Sequence, residues 1–426
     1  MGQAHYREED ATPSTWAGAA AARPAATAVG GGAVALAVAH ALTDAYSAFL
    51  HPLLPRVMEK LGLSITLAAT LATTLFLASS LTQPLLGWLA DRYGRRPFVI
   101  GGVLASGVFL SLIGVAPNFA VLAVLLVLGG MGGAAFHPPG ASMAARVVEG
   151  RGSGVRMSIF SFGGSAGYAV GPLAAVGLVS AFGFGGLAFA MVPALLAALV
   201  LPSFLPEESP VHAPTPPPRP GAVLRLLAGP LGVVFGISAA ATFVQRSFQT
   251  MMPIVVAQAG GTEAEGALVL TAYLIGQAGG SLAGGLLTDR MDRRALLFGL
   301  TLGSLPAHVL AIGLPPGSPA GLAAAAVAGL LNLAVVPPVV IMAQEMLPGG
   351  AALGSSIAMG LAWATGSVFV LGTGALGDAV GPRTAALLVM PAILIGTALA
   401  LHPALRGHRR PVAGAAARAD GAAGPA

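Results

Sequence analysis

From about Ala33 to Leu401 the chain alternates long apolar runs with short polar interruptions at near-regular spacing. A helix needs roughly 20 apolar residues to cross a bilayer, so about twelve spans fit. The pattern predicts an all-α membrane protein. One interruption is longer. Pro206 to Pro220 reads PEESPVHAPTPPPRP, too polar and proline-rich for a spanning helix, and marks an extended linker between two halves. The resulting organisation is a tail over 1–30, a six-helix bundle over 31–205, a cytoplasmic linker over 206–222, a second six-helix bundle over 223–404, and a tail over 405–426. Both tails read as disordered. The first lacks the basic start, short apolar core and cleavage site of a signal peptide.

The two halves repeat. Gly87-Trp-Leu-Ala-Asp91-Arg92-Tyr-Gly-Arg95-Arg96 returns 198 residues later as Gly285-Leu-Leu-Thr-Asp289-Arg290-Met-Asp-Arg293-Arg294. Pro138-Pro139 through Met143-Ala144 returns, offset by 199, as Pro337-Pro338 through Met342-Ala343. Two landmarks at nearly one offset point to duplication. The repeat predicts two six-helix halves of like orientation facing each other in the membrane.

Composition sharpens this picture. Hydrophobic residues make up 55% and charged residues 9%, against roughly 25% charged in a soluble domain. The 60 glycines suit helix backbones approaching closely in lipid. With no cysteine, disulfides, thiolate metal sites, iron–sulfur clusters and thiol nucleophiles are excluded. The net charge of +5 marks topology rather than a nucleic-acid partner. Predicted inner loops hold Arg92, Arg95, Arg96, Arg146, Arg151, Arg156, Arg219, Arg225, Arg290, Arg293 and Arg294, while outer loops hold Arg56, Lys60 and Arg383. That bias predicts a multi-pass inner-membrane protein with both termini cytoplasmic. The only lysine, Lys60, follows Glu59, so no nucleotide phosphate loop exists. Gly163-Gly-Ser165-Ala-Gly167 spells a hydrolase motif without its strand context, and Gly183-Phe-Gly185 lacks a dinucleotide-site setting. The expectation is no enzyme, no cofactor and no metal.

Ionisable residues inside the runs are the candidates for function. His40, Asp44, Ser47 and His51 are spaced 4, 3 and 4 apart, one face of a single helix. Such a stripe in lipid either carries protons or solute, or ties helices together. In the second half Arg246 alone is basic deep inside a span, and the repeat aligns it with Ser47. A guanidinium can clamp a carboxylate or phosphonate, or pair with Asp44 across a cavity. Tyr273, Gln277 and Asn332 are further hydrogen-bonding candidates for solute.

The stretch Gly87 to Arg96 resembles the signature loop between the second and third helices of the major facilitator superfamily. The resemblance implies a cytoplasmic gate built from Gly87, Asp91, Arg92, Arg95 and Arg146, with Gly285, Asp289 and Arg290 as counterparts, Asp91 pairing with Arg146. Gly167-Tyr-Ala-Val-Gly171-Pro172 is similar to the fifth-helix Gly-x-x-x-Gly-Pro element of antiporters, which implies a bent, tightly packed helix. His40 to Asp44, Phe136-His137-Pro138, Ser161-Phe-Gly-Gly-Ser-Ala-Gly and Gln344-Glu345-Met-Leu-Pro348 resemble the fosmidomycin resistance family over about residues 33 to 402. Pro139 stands where that family often has Glu, and Asp292 replaces the second signature glycine. In such folds the first and fourth helices line the cavity together, which makes His40, Asp44 and His137 the proton-coupling cluster. The implied activity is a monomeric, proton-coupled antiporter exporting a small drug-like or anionic solute. Uptake by proton symport is the rival within transporters, and a non-transporting receptor or scaffold is the rival class.

Overall fold

The computed structural model describes residues 26–146, 153–207, 220–347 and 351–406. Most of both expected tails and of the linker, with Arg151 and Arg219, lies outside the described residues. Among those described, twelve helical spans are long and apolar enough to cross a membrane. They are α1 (Gly31–Leu61), α2 (Ile65–Tyr93), α3 (Arg95–Val115), α4 (Phe119–Ala144), α5 (Ser158–Phe182) and α6 (Phe184–Ser203), then α7 (Pro230–Gln258), α8 (Glu263–Thr288), α9 (Arg293–Gly313), α10 (Pro319–Glu345), α11 (Leu353–Val380) and α12 (Pro382–Ala400).

Local chemistry fixes where spans begin. Ser64 caps α2, Ser318 caps α10, and Thr262 with Glu265 forms a capping box on α8. The first span departs from the single helix expected to carry His40, Asp44, Ser47 and His51 on one face. Its α-helix stops at Ser47, a tighter turn covers His51–Leu53, and helix resumes over Leu54–Leu61. Pro52 and Pro55 cannot supply the amide donors that a continuous helix needs there. The expected four-residue stripe is therefore cut. His40 and Asp44 share one helical face, and His51 lies beyond the break.

The repeat in sequence is also a repeat of hydrogen bonds. Arg96 donates to the Pro202 carbonyl at the end of α6, and Arg294 Nε donates to the Ala400 carbonyl at the end of α12 at 3.0 Å. Each half thus uses one arginine to satisfy the orphan carbonyls of its last helix. The two connections differ in one respect. Gly94 links α2 to α3 at φ 97°, a left-handed backbone that favours glycine. The equivalent Asp292 sits at φ −61°, and its carboxylate accepts from Ala295 N at 2.9 Å. Replacing the second signature glycine exchanged a turn for a helix cap.

Glycine stripes bring backbones into contact. A Cβ on Gly163, Gly167 or Gly171 of α5 would stand 2.3, 1.9 or 2.5 Å from the carbonyl oxygens of Ala37, Ala41 and Ala45 on α1. On α8, Gly276, Gly280 and Gly284 meet Ala326, Leu330 and Ala334 of α10 at 1.9, 2.1 and 2.3 Å in the same sense. Without water to drive helices together in lipid, this close packing is a main source of cohesion. Polar contacts between the halves gather at the end remote from the signature loops. Arg56 pairs with Glu263 at 2.6 Å, and Asp378 of α11 accepts from Ile65 N at 2.8 Å and Thr66 N at 2.9 Å, at the start of α2. Deeper in, Thr271 donates to the Ala169 carbonyl at 2.9 Å.

Candidate functional site

Among the described residues, His40, Asp44, His137 and Arg246 fall into two interior polar clusters, one in the first half and one where the halves meet. In the first, α1 presents His40 and Asp44 one turn apart and α4 presents His137. His40 Nε2 lies 3.3 Å from Asp44 Oδ2, and His137 Nε2 lies 3.4 Å from Asp44 Oδ1. One carboxylate thus faces two imidazoles, one at each oxygen. His40 Nδ1 is 2.9 Å from the Phe160 carbonyl. A carbonyl only accepts, so Nδ1 carries hydrogen and Nε2 is the atom offered to Asp44. Two bare lone pairs would repel there, and the contact becomes favourable when a proton lies between them. The three side chains are 13%, 19% and 29% exposed, within reach of water. Their donor atoms lie within 4.8 Å of one another, a spacing suited to a shared proton or another small cation.

Aromatic packing and a glycine hold this geometry. Phe160 stacks on the His40 ring at 4.3 Å, and Phe136 lies 5.5 Å from it. A Cβ at Gly164 would come within 2.5 Å of His40 Nε2 and 2.8 Å of Asp44 Oδ2. Gly164 therefore sets the space in which the carboxylate and imidazole meet. Neither Gly164 nor the Phe160 carbonyl was singled out from sequence. The Ser161-Phe-Gly-Gly run, beginning one residue after Phe160, was the available signal.

The second cluster centres on Arg246 of α7, which does not join Asp44. Its Nη1 donates to Tyr168 Oη at 3.1 Å and to Gln249 Oε1 at 3.0 Å, and its Cζ lies 3.5 Å above the Phe76 ring. His51 is buried and stacks on the same Phe76 ring at 5.3 Å. Sequence reasoning missed Tyr168 and Phe76, because only the fold brings them to Arg246, and it missed Gln249, although the i, i+3 spacing on one helix was the available signal.

The remaining candidates fall in different surroundings. Ser47 donates to the Thr43 carbonyl of its own helix at 3.1 Å. Tyr273 is fully buried, stacks on Phe248 at 4.4 Å and meets His308 Nε2 at 3.2 Å. Asn332 ties α10 to the Ala241 carbonyl of α7 at 3.1 Å. The structure thus places Tyr273 and Asn332 in helix packing within the second half. Gln277 is buried one turn along α8 from Tyr273, its Nε2 unpartnered.

The sequence profile of the Major Facilitator Superfamily matches residues 36–259 and 234–423. The chain belongs to that superfamily. This facilitator is 28% identical over 380 residues to the fosmidomycin resistance protein of Escherichia coli (strain K12), covering 86% of this chain and 89% of that protein. Over 173 residues it is 32% identical to the multidrug resistance protein MdtG of Yersinia enterocolitica, 39% of this chain and 41% of that one. A bacterial homologue of the human lysosomal transporter Spinster, solved inward-facing and unoccupied, has a TM-score of 0.73 and 16% identity, covering 88% of this chain and 97% of that structure. At that identity the likeness concerns the fold. The twelve-span membrane architecture expected from the hydropathy pattern is the one found, and the protein is a transporter of the facilitator class.

In the facilitator signature loop, Asp91 accepts from Arg95 Nη2 at 2.6 Å, one turn away. The Arg146 side chain expected to pair with Asp91 lies outside the described residues. Arg92 is exposed against Trp88 and Tyr93, with its Cζ 5.6 and 5.7 Å from the rings. Gly87 packs where a Cβ would stand 3.3 Å from Pro138, whereas Gly285 has open space. Asp289 and Arg290 are exposed, and Arg293 pairs with Glu345 at the end of α10.

Proposed function

We propose that this facilitator is a proton-coupled antiporter that exports a small drug-like or anionic solute by alternating access. It works as a monomer in the inner membrane, with both termini cytoplasmic. The observation that carries the reading is the His40, Asp44, His137 triad. Ionisable groups at this depth are costly in lipid and are kept where protons or substrates pass. A carrier must return differently loaded from the way it came, and a carboxylate flanked by two imidazoles offers a removable charge for that purpose. The similarity to a fosmidomycin resistance protein and a multidrug resistance protein supports export, as does the Gly167, Gly171, Pro172 element on α5. The arginine-rich loop ends support the orientation. Arg246 holds the solute side of the division, since its planar guanidinium can clamp a carboxylate or phosphonate.

Proteoliposomes with an imposed pH difference test this directly, with fosmidomycin and small organic anions as solutes. Wild-type protein should move solute against its gradient, opposite to the proton flow. Asp44→Asn keeps the shape of the side chain and removes its titration. It should abolish pH-driven accumulation while retaining solute exchange. Wild-type accumulation by Asp44→Asn ends the proposal, and solute flow in the same direction as protons replaces antiport with symport.

A further inference from the structure

The triad of α1 and α4 has a second chemistry besides the proton exchange proposed above. Its donor set is two imidazole nitrogens and one carboxylate, gathered from two helices. His40 Nε2 and Asp44 Oδ2 are 3.3 Å apart, and His137 Nε2 and Asp44 Oδ1 are 3.4 Å apart. Ligands that share a tetrahedral ion at ~2.1 Å stand about 3.4 Å from one another. Two edges of such a polyhedron are therefore already drawn. The remaining pair of ligand atoms lies within 4.8 Å, and His137, the most exposed of the three side chains, has room to adjust.

The surroundings prepare these atoms as ligands. The Phe160 carbonyl holds His40 Nδ1–H at 2.9 Å and leaves the Nε2 lone pair facing Asp44. A ring N–H anchored on a carbonyl is the usual support of a metal-bound imidazole, because it fixes both the tautomer and the ring direction. The Phe160 and Phe136 rings, at 4.3 and 5.5 Å, restrict His40 further. Gly164 keeps side-chain atoms out of the space against His40 Nε2 and Asp44 Oδ2, where a Cβ would stand 2.5 and 2.8 Å away. Partial exposure of all three residues lets an ion arrive and leaves a coordination position for water. Charge and ligand type select the ion. A lone pair facing a carboxylate calls for positive charge between them, and a divalent ion supplies it. Imidazole ligands favour Zn²⁺ and its neighbours over Mg²⁺ and Ca²⁺, which prefer all-oxygen sites.

We infer that His40, Asp44 and His137 form a binding site for a divalent transition-metal ion of the zinc class, with water completing its coordination. The ion bonds to His40 Nε2, His137 Nε2 and an Asp44 oxygen, which departs from the sequence expectation of no metal. Binding itself does not depend on the antiport reading, but its consequence rests on it. A bound ion occupies the atoms to which that reading gives the proton, so metal and proton exclude each other and the metal halts pH-driven transport.

The test uses purified full-length protein, free of affinity tags, with Zn²⁺ alone as titrant. Calorimetry should show one saturable site per chain, with Mg²⁺ about 100-fold weaker or worse. Co²⁺ should bind in its place and develop the visible absorption of a four-coordinate ion. His137→Gln and Asp44→Asn should each weaken Zn²⁺ about 100-fold, and Gly164→Ala about tenfold. His402→Ala, which removes an exposed imidazole beyond α12, should bind as the wild type does. Zn²⁺ should raise the melting temperature of the wild type and leave that of His137→Gln in place, which separates lost ligation from lost folding. In proteoliposomes Zn²⁺ should stop pH-driven transport by the wild type, and Mg²⁺ should not. No saturable Zn²⁺ binding, equal binding of Mg²⁺, wild-type affinity in His137→Gln and Asp44→Asn, or loss of binding in His402→Ala overturns the site. Zn²⁺ that binds without slowing transport overturns the inhibition. A protein that binds Zn²⁺ yet moves no solute under a pH difference keeps the site and removes the antiport reading, so the two failures are told apart.

Discussion

The first halves of the two bundles are built alike and equipped oppositely. In the first half the polar residues are an acid between two imidazoles, Asp44 and His40 on α1 with His137 on α4. On α7, at the position the repeat aligns with Ser47, stands a permanent cation with amide and phenol partners. The scaffold contacts, by contrast, match. Arg96 and Arg294 serve the same carbonyl position at the ends of α6 and α12, and glycines bring α1 to α5 as others bring α8 to α10. Duplication kept the parts that make a bundle and let the interior side chains diverge. A group that can lose its charge and a group that cannot are thus held on separate, equivalent helices.

The sharpest way to break this comparison is to exchange the losses. Asp44→Asn should reduce pH-driven transport about 100-fold or more, the equivalent of roughly 2.7 kcal/mol in the transport barrier, and leave anion binding intact. Arg246→Gln should do the reverse, weakening anion binding while proton release on exchange persists. If both variants lose both functions equally, the two clusters act as one site and the division fails. Flux and calorimetry on the same preparations decide it.

A smaller effect is expected from a single methyl group. Gly164→Ala drives a Cβ into the His40 and Asp44 contact, where the neighbours are 2.5 and 2.8 Å away. Transport should fall about tenfold, the scale of ~1.4 kcal/mol, without loss of folded protein. Gly285→Ala meets open space and should leave transport unchanged, so an equal defect in both would show that glycine matters here only for helix flexibility.

Weaker still is the contact at the far end of the bundle. Asp378→Ala removes the acceptor for Ile65 N and Thr66 N, an N-cap worth about 1 kcal/mol. A cysteine placed at the start of α2, the only thiol in the chain, should then label severalfold faster. Unchanged labelling would mean that Asp378 does not help hold the halves together. The smallest structural effect belongs to Asp91→Asn. Its pair with Arg95 is partly exposed and worth about 0–1 kcal/mol. Insertion should stay normal while transport drops, and full transport activity would remove Asp91 from the gate.

The fold was legible because it depends on run length and repetition, which hydropathy and two 198- or 199-residue offsets report directly. His40, Asp44 and His137 were legible because ionisable side chains inside apolar runs are conspicuous. The partners were not. Phe160 contributes only a backbone carbonyl, Gly164 contributes the absence of a side chain, and Tyr168 meets Arg246 through the packing of opposite halves. The expected straight face through His51 failed because the Ser47–His51 stretch turns out of α-helix near Pro52. Tyr273 looked like a solute ligand because a polar tip in a span resembles one, yet His308 occupies that tip.

The glycine stripe on α5 also limits how the machine can be geared. With Gly163, Gly167 and Gly171 seated on successive turns of α1, the two helices cannot slip past each other without forcing backbone through backbone. They turn as one lever. His40 and Asp44 both stand on α1, so a joint movement of α1 and α5 would leave their spacing unchanged. Arg246 and Tyr168 belong to opposite halves, so under the proposed antiport the distance between them would change as the halves move, while the His40–Asp44 contact would not.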